Sequence, residues 1–405
     1  MAITANTIYE FQSGGSDANG GGFDSTIANA GTDYSTSTTA QATLTTASVV
    51  AATTTDITVS AGDYTVASTD IGNIFYLTGG SATAGFYQVV SLPGGNVWRM
   101  DRSLGTAGQT CPGKMGGCRN LLSSNSFPAA LVAGNKVYVK NGSYSLASFG
   151  SQTAGTISAI VQILGYNSTR DDNPTGANRP TLTMAGNTFT LGNFTHFRNF
   201  IMTGSATQVL ISAAGNTIIN SKVTSTNATA TSIALNFSGN NTRVIDCEVI
   251  AASCIGMNMG LNNPLAFGCY VHGCTTGIKS TGSGATIINN IVSACTTAIS
   301  LQTTSLLGFC ISNNTLFGAE TPAGTGIDGS TATAPARSIF LNNIIYGFVT
   351  GVNWQASTPE NWWDYNDFFN NTTNRTNVTA GPHDVAIDPG FTSSAGGDFS
   401  ITGAI

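Results

Sequence analysis

The chain has 405 residues, with 14 Lys and Arg against 20 Asp and Glu, a formal net charge of -6, and 8% charged beside 41% hydrophobic residues. That apolar content excludes a disordered chain, the negative balance argues against nucleic-acid binding, which uses a basic footprint, and no run of 18 or more apolar residues marks a membrane span. What remains is a chain with a core and polar, uncharged turns, rich in Gly (48 residues), Thr, Ser and Asn.

The first residues, MAITANTIYEFQ, lack the basic start and apolar run of a secretory signal peptide, although the composition looks extracellular. Residues 1–130 are expected to form a β-rich cap or attachment region, with strands around Ile74–Leu77, Gly85–Val90 and Val97–Met100 between Gly-rich turns. The Thr-, Ala- and Ser-rich stretch 22–60 is expected to be extended or mobile. Cys111 and Cys118 bracket CPGKMGGC and are a disulfide candidate. A zinc site there would need about four ligands, and no His or Cys pair lies near in sequence. The other six cysteines are expected to be free, buried and small.

Residues 131–370 carry repeats. After looser strands at 136–146, 157–166 and 181–186 come FRNFIM (197–202), IINSKV (218–223), VIDCEV (244–249), AFGCYV (266–271), IINNIV (287–292), ISNNTL (311–316), FLNNII (340–345) and WDYNDF (363–368). Their third positions step by 21, 26, 22, 21, 24, 29 and 23 residues, and their sixth positions are apolar throughout. CTTGIKS (274–280), CTTAISL (295–301) and FVTGVNW (348–354) add a second strand. Coils of this length, Val- and Ile-rich with Asn and Gly at bends, predict a right-handed parallel β-helix, an all-β solenoid. Each rung pairs its backbone with rungs about 4.8 Å away. Asn at the third position suits a bend and is expected to build an amide ladder, interrupted at Gly268 and Tyr365. Residues 371–405 are a closing segment.

Few residues remain for chemistry. Asp246 and Glu248, two apart and read as one strand, would share a face about 7 Å apart, the spacing of a glycosidase pair; they are the fallback catalytic candidates, with no catalytic set otherwise assigned. Asp364 with Asp367, and Asp171 with Asp172, read as turn residues, the latter with a weak Ca²⁺ site as the alternative. His272 reads as structural. Trp354, Trp362, Trp363 and Tyr365 cluster near the end of the repeats and are candidates for glycan or subunit contact. The fifth positions, Ile201, Lys222, Glu248, Tyr270, Ile291, Thr315, Ile344 and Asp367, form a broken apolar stripe that suggests an oligomer interface. No metal site and no cofactor are expected.

AGNKVYVKNGSYSL (133–146), the N-N-x-I rungs and IDPGFTSSAGGDFSI (387–401) resemble the opening, body and close of pectate-lyase-like β-helix proteins. The segments 8–23 and 68–108 are similar to an N-terminal region of β-helix proteins encoded by phages and prophages. Polygalacturonase-type motifs are absent apart from a lone DD, and the acidic cluster of pectate lyases has no counterpart. The resemblance implies a virion-associated fibre, spike or decoration protein, located on the virion or outside the cell. It would be a homotrimer partnered by other virion proteins and by a cell-surface glycan, with a job more mechanical or adhesive than catalytic. The alternatives are a polysaccharide lyase or glycoside hydrolase acting as a depolymerase, and a bacterial surface adhesin.

Overall fold

The computed structural model describes residues 4–50, 53–120, 131–146, 155–302, 308–331, 337–355 and 361–401. The chain forms two compact units, Met1–Thr183 with Phe194–Phe200, and Met184–Asn193 with Ile201–Ile405. No helix among the described residues is long and apolar enough to cross a membrane.

In the first unit a seven-stranded antiparallel sheet runs in the order Ala42–Leu44, Gly113–Met115, Ile74–Leu77, Gly85–Ser91, Val97–Met100, Asp56–Thr58, Ser48–Val49. Its core holds Trp98, Phe75, Leu77, Val89 and Met115. The stretch expected to be mobile supplies three of these strands. Ala42 and Leu44, Val49, and Ile57 and Val59 turn inward to the same core, and that burial orders it. The N-terminal strand Ile8–Phe11 pairs in parallel with Lys136–Lys140, which pairs with Val161–Tyr166. Part of the 1–130 region thus belongs to a solenoid-type sheet.

The second unit is built of rungs with three strands each. One sheet stacks Thr217–Ile219, Arg243–Ile245, Leu265–Phe267, Thr286–Ile288, Cys310–Ser312, Ile339–Leu341 and Trp362–Asp364. A second stacks Ile201–Gly204, Lys222–Ser225, Glu248–Ala251, Tyr270–His272, Ile291–Ser293, Thr315–Phe317, Ile344–Tyr346 and Asp367–Phe369. The third includes Thr276–Ser280, Thr297–Leu301 and Thr350–Trp354. All neighbours are parallel, for example Glu248↔Tyr270 and Ile278↔Ile299. The right-handed parallel β-helix read from the sequence is the observed fold class.

The six-residue motif is two strands, not one. Its third residue has positive φ in every rung: Asn199 67°, Asn220 44°, Asp246 52°, Gly268 66°, Asn289 61°, Asn313 56°, Asn342 54° and Tyr365 56°. This left-handed corner turns the chain from the first sheet into the second. Asn, Asp and Gly reach that conformation more readily than other residues. The first and sixth residues flank the corner inside: Val244 and Val249, Ile287 and Val292, and Phe340 and Ile345 are all fully buried. Burying one such side chain contributes about 1.5–3 kcal/mol.

The amide ladder stands one position later than expected, at the fourth residue. Asn290 Nδ2 donates to Asn314 Oδ1, Asn314 Nδ2 to Asn343 Oδ1, and Asn343 Nδ2 to Asn366 Oδ1, each at 3.0 Å. Asn366 Nδ2 donates to Asp384 Oδ1 at 3.2 Å, which places a carboxylate at the end. Each of these Oδ1 atoms also accepts a backbone N–H from the preceding rung, as Asn314 Oδ1 does from Asn290 at 2.9 Å. The third residue cannot play this part because it is the corner itself. The fourth points inward, where Asn290, Asn314, Asn343 and Asn366 are each 1% exposed, so its amide has to find partners inside.

Candidate functional site

Asp246 and Glu248 do not form a facing pair. Asp246 is the exposed corner residue and Glu248 opens the next strand, so the two-residue spacing expected along one strand does not apply. Glu248 Oε1 is held by Lys222 Nζ at 3.0 Å and by His272 Nε2 at 3.1 Å. Burial raises its carboxyl, but the bonds from His272 and Lys222 outweigh that and hold it below the usual range. His272, read from sequence as a satisfied structural residue, joins this polar file and stacks on the Tyr270 ring at 4.2 Å.

Two outward columns run along the second sheet, at the fifth and seventh positions of each motif. Near the C-terminal end the seventh position is aromatic (Phe317, Tyr346, Phe369) and the fifth includes Ile291 and Ile344, and these carry the strand pair Phe391–Ser393 and Asp398–Ile401. Phe317, Tyr346 and Phe399 form a buried cluster with Tyr270, Ile291, Ile344, Phe369 and Phe391 packed against it. The stripe expected to meet another subunit is therefore covered, at this end, by the chain's own closing segment. Glu320 fastens it, accepting the Tyr346 hydroxyl at 2.7 Å and the Ser394 hydroxyl. Where the cover stops, a cleft of about 310 Å³ opens between Tyr270, His272, Ser293 and Phe317 on one side and Ser394–Gly397 on the other.

The four aromatic candidates divide into two kinds. Trp354 and Trp363 are core, 2% and 8% exposed; Trp363 stacks on Phe340 at 3.7 Å and meets Trp354 edge-on at 5.4 Å. Trp362 and Tyr365 are 56% and 53% exposed. Trp362 lies at a second cleft, about 290 Å³, whose walls include Asn361, Asn377, Thr379, Gly381 and Pro382. Tyr365 stacks on His383 at 4.5 Å, and His383 Nδ1 meets Asp364 Oδ2 at 2.9 Å. Asp364 is therefore held by the closing segment rather than paired with Asp367. Burial raises Asp364, but the His383 ring and backbone bonds outweigh it and hold it below the usual range. Sequence reasoning missed His383 and Asp384 because their partners lie some twenty residues back in the chain.

Cys111 and Cys118 are both buried and unbridged, which corrects the expected disulfide. The strand Gly113–Met115 runs extended between them. Three residues of strand span about 10 Å, beyond the roughly 7 Å between Cα atoms that a disulfide can bridge. Cys247 and Cys269 fill the ladder position in earlier rungs, their thiols donating to the carbonyls of Ile245 and Phe267 at 3.3 and 3.4 Å. Burial pushes the Cys269 thiol up to about 12. Asp172 accepts backbone N–H groups from Asn167, Ser168 and Thr169, a turn role. Among the described residues no group of three or more His, Cys, Asp or Glu is arranged to hold a metal ion.

No protein-family model matches the chain, and no curated protein matches it in sequence. Among solved structures it is similar to the pectate lyase Pel9A, with 14% identity over 70% of this chain and 79% of that one and a TM-score of 0.45. It is similar to the pectin methylesterase from Aspergillus niger, with 14% identity over 63% and 81% and a TM-score of 0.39. It is also similar to the Gp54 tailspike of Acinetobacter baumannii bacteriophage AP22, with 9% identity over 84% and 64% and a TM-score of 0.18. These likenesses concern the fold alone.

Proposed function

We propose that the chain is a structural and adhesive component of a phage particle, a fibre, spike or decoration protein, that holds a glycan in the cleft beside Trp362. The observation that carries the binding half of this reading is Trp362 itself, 56% exposed on the outward face of the strand whose next residue, Trp363, is core, and lining the cleft. A sugar ring has an apolar face and a rim of hydroxyls. A fixed aromatic plate suits the face, and the amides and hydroxyl of Asn361, Asn377 and Thr379 in the cleft walls suit the rim. The long run of stacked rungs, with few charges and a bonded polar interior, supports the structural half. The particle assignment rests on the resemblance of the N-terminal segments.

The binding test is a titration of purified host-surface polysaccharide followed by isothermal calorimetry. A saturable change in wild type that Trp362→Ala abolishes is expected, with thermal unfolding unaltered; equal binding by the variant would overturn the site. Mass spectrometry of purified particles should contain this chain. The proposed homotrimer is checked by light scattering after size exclusion, where a monomer would remove that part of the reading.

A further inference from the structure

The cleft at the edge of the closing segment carries a second kind of chemistry. Glu248 pairs in register with Tyr270, and its carboxylate crosses to His272, two residues further along the neighbouring strand. A carboxylate only accepts, so the neutral imidazole places its proton on Nε2 and leaves the Nδ1 lone pair open. The Tyr270 ring at 4.2 Å fixes the plane of the imidazole, and Lys222 at 3.0 Å fixes the carboxylate. On the following rung, Ser293 pairs in register with His272. Neighbouring residues on parallel strands stand about 4.8 Å apart with side chains on the same face. His272 and Ser293 line the same cleft, and Ser293, 4% exposed, sits at its sheltered side.

We propose that this cleft is an acyl-transfer site: Ser293 is the nucleophile, His272 the general base, Glu248 the residue that positions the imidazole, and the substrate a small acyl ester of an alcohol. The site is separate from the Trp362 cleft and does not depend on it. Ser293 Oγ donates to the Tyr270 hydroxyl at 3.3 Å; in the proposed reaction it leaves that partner by a change of side-chain rotamer and turns to the imidazole, on the residue paired with it in register. In the first half-reaction Ser293 Oγ bonds to the acyl carbon while its proton passes to His272 Nδ1. The ester C–O bond breaks and the alcohol leaves with that proton. Water then attacks the acyl-serine, gives its proton to His272, and releases the carboxylic acid as Ser293 recovers its own. Phe317 and Ala294 give the cleft an apolar wall for a short acyl chain. The Ser394–Gly397 turn shields the opposite side, and shelter from bulk water strengthens the electrostatics of such a step.

The experiment is covalent labelling of the full-length chain with a fluorophosphonate, mapped by tandem mass spectrometry, beside hydrolysis of p-nitrophenyl acetate. Wild type is expected to be labelled at Ser293, Ser293→Ala to lose label and turnover, and His272→Ala to slow both by about 100-fold or more. Glu248→Gln should shift the pH dependence of labelling, with Glu248→Asp restoring part of it, which a merely structural role would not do. Unfolding curves on each variant identify any that fail to fold. Absence of label at Ser293 in wild type, or an unchanged labelling rate in folded His272→Ala, overturns the proposal.

Discussion

At the scale of single residues, one motif divides its work between two adjacent asparagines. In N-N-x-I the first Asn bends the chain and the second bonds its neighbours. Asn289 has φ 61°, so Asn289→Gly should be nearly neutral while Asn289→Ala costs about 1 kcal/mol or more, since a Cβ without a bonding side chain is strained there. Asn314 Oδ1 accepts both the side-chain and backbone N–H of Asn290, at 3.0 and 2.9 Å. Asn314→Leu leaves two buried donors without that acceptor and should cost roughly 2–4 kcal/mol. Urea unfolding of the pair of variants separates the two roles. The corner was half legible: the recurrence of Asn, Asp and Gly marked a bend, but sequence placed the ladder on the same residue. Which of two neighbouring amides points inward depends on the φ of the first, and no local pattern states that.

Glu248 gives a pH signature at this same scale. Its folded carboxyl lies below the usual value because His272 and Lys222 outweigh burial. A group depressed in this way contributes stability that is fully present above its unfolded pKa, about 4.3, and is lost as pH falls through the lower folded value. Glu248→Gln should therefore unfold with a shallower dependence on pH below about 5 than wild type, measured by thermal melts from neutral to acid.

At the scale of elements, the closing strand pair explains why the fifth-position stripe can be apolar. Phe391 and Phe399 pack on the residues that would otherwise be a greasy ridge. Phe399 is 9% exposed, and Phe399→Ala should cost about 2–4 kcal/mol and raise binding of a dye that reports exposed apolar surface, with little effect on the first unit. The stripe was readable as outward-facing from alternation alone. Its covering was not, because contact between Phe399 and Phe317 spans some eighty residues and leaves no periodic trace. The same holds for His272: a lone His in YVHGC acquires meaning only when register brings Glu248 beside it. The strands of the N-terminal sheet at Ile74–Leu77, Gly85–Ser91 and Val97–Met100 were legible from alternation and Gly-rich turns, whereas the Thr-rich 42–58 strands were masked by a composition that also fits loops.

At the scale of the whole molecule, sparse charge and abundant amide and hydroxyl groups go together, because stacked rungs satisfy polar groups by bonding rung to rung. All eight cysteines are unbridged. Thiol titration should therefore count few reactive groups in the native protein and eight after denaturation without reductant, and a lower count in denaturant would show a bridge. The direction of the asparagine ladder has one more implication. Each amide donates one N–H to the next rung's side chain and the other to a carbonyl of the preceding rung, and Asp384, which accepts but has no side-chain N–H to pass on, closes the series. Between Asn290 and that terminator the ladder contact repeats from rung to rung. Inserting or deleting one complete coil there would reconnect the series, and smaller changes of length fall in the turns, since ladder rungs 23, 24 and 29 residues apart keep the same amide bond. The height of the stack is thus counted in whole rungs, one inward asparagine to each, whatever the length of the turns between them.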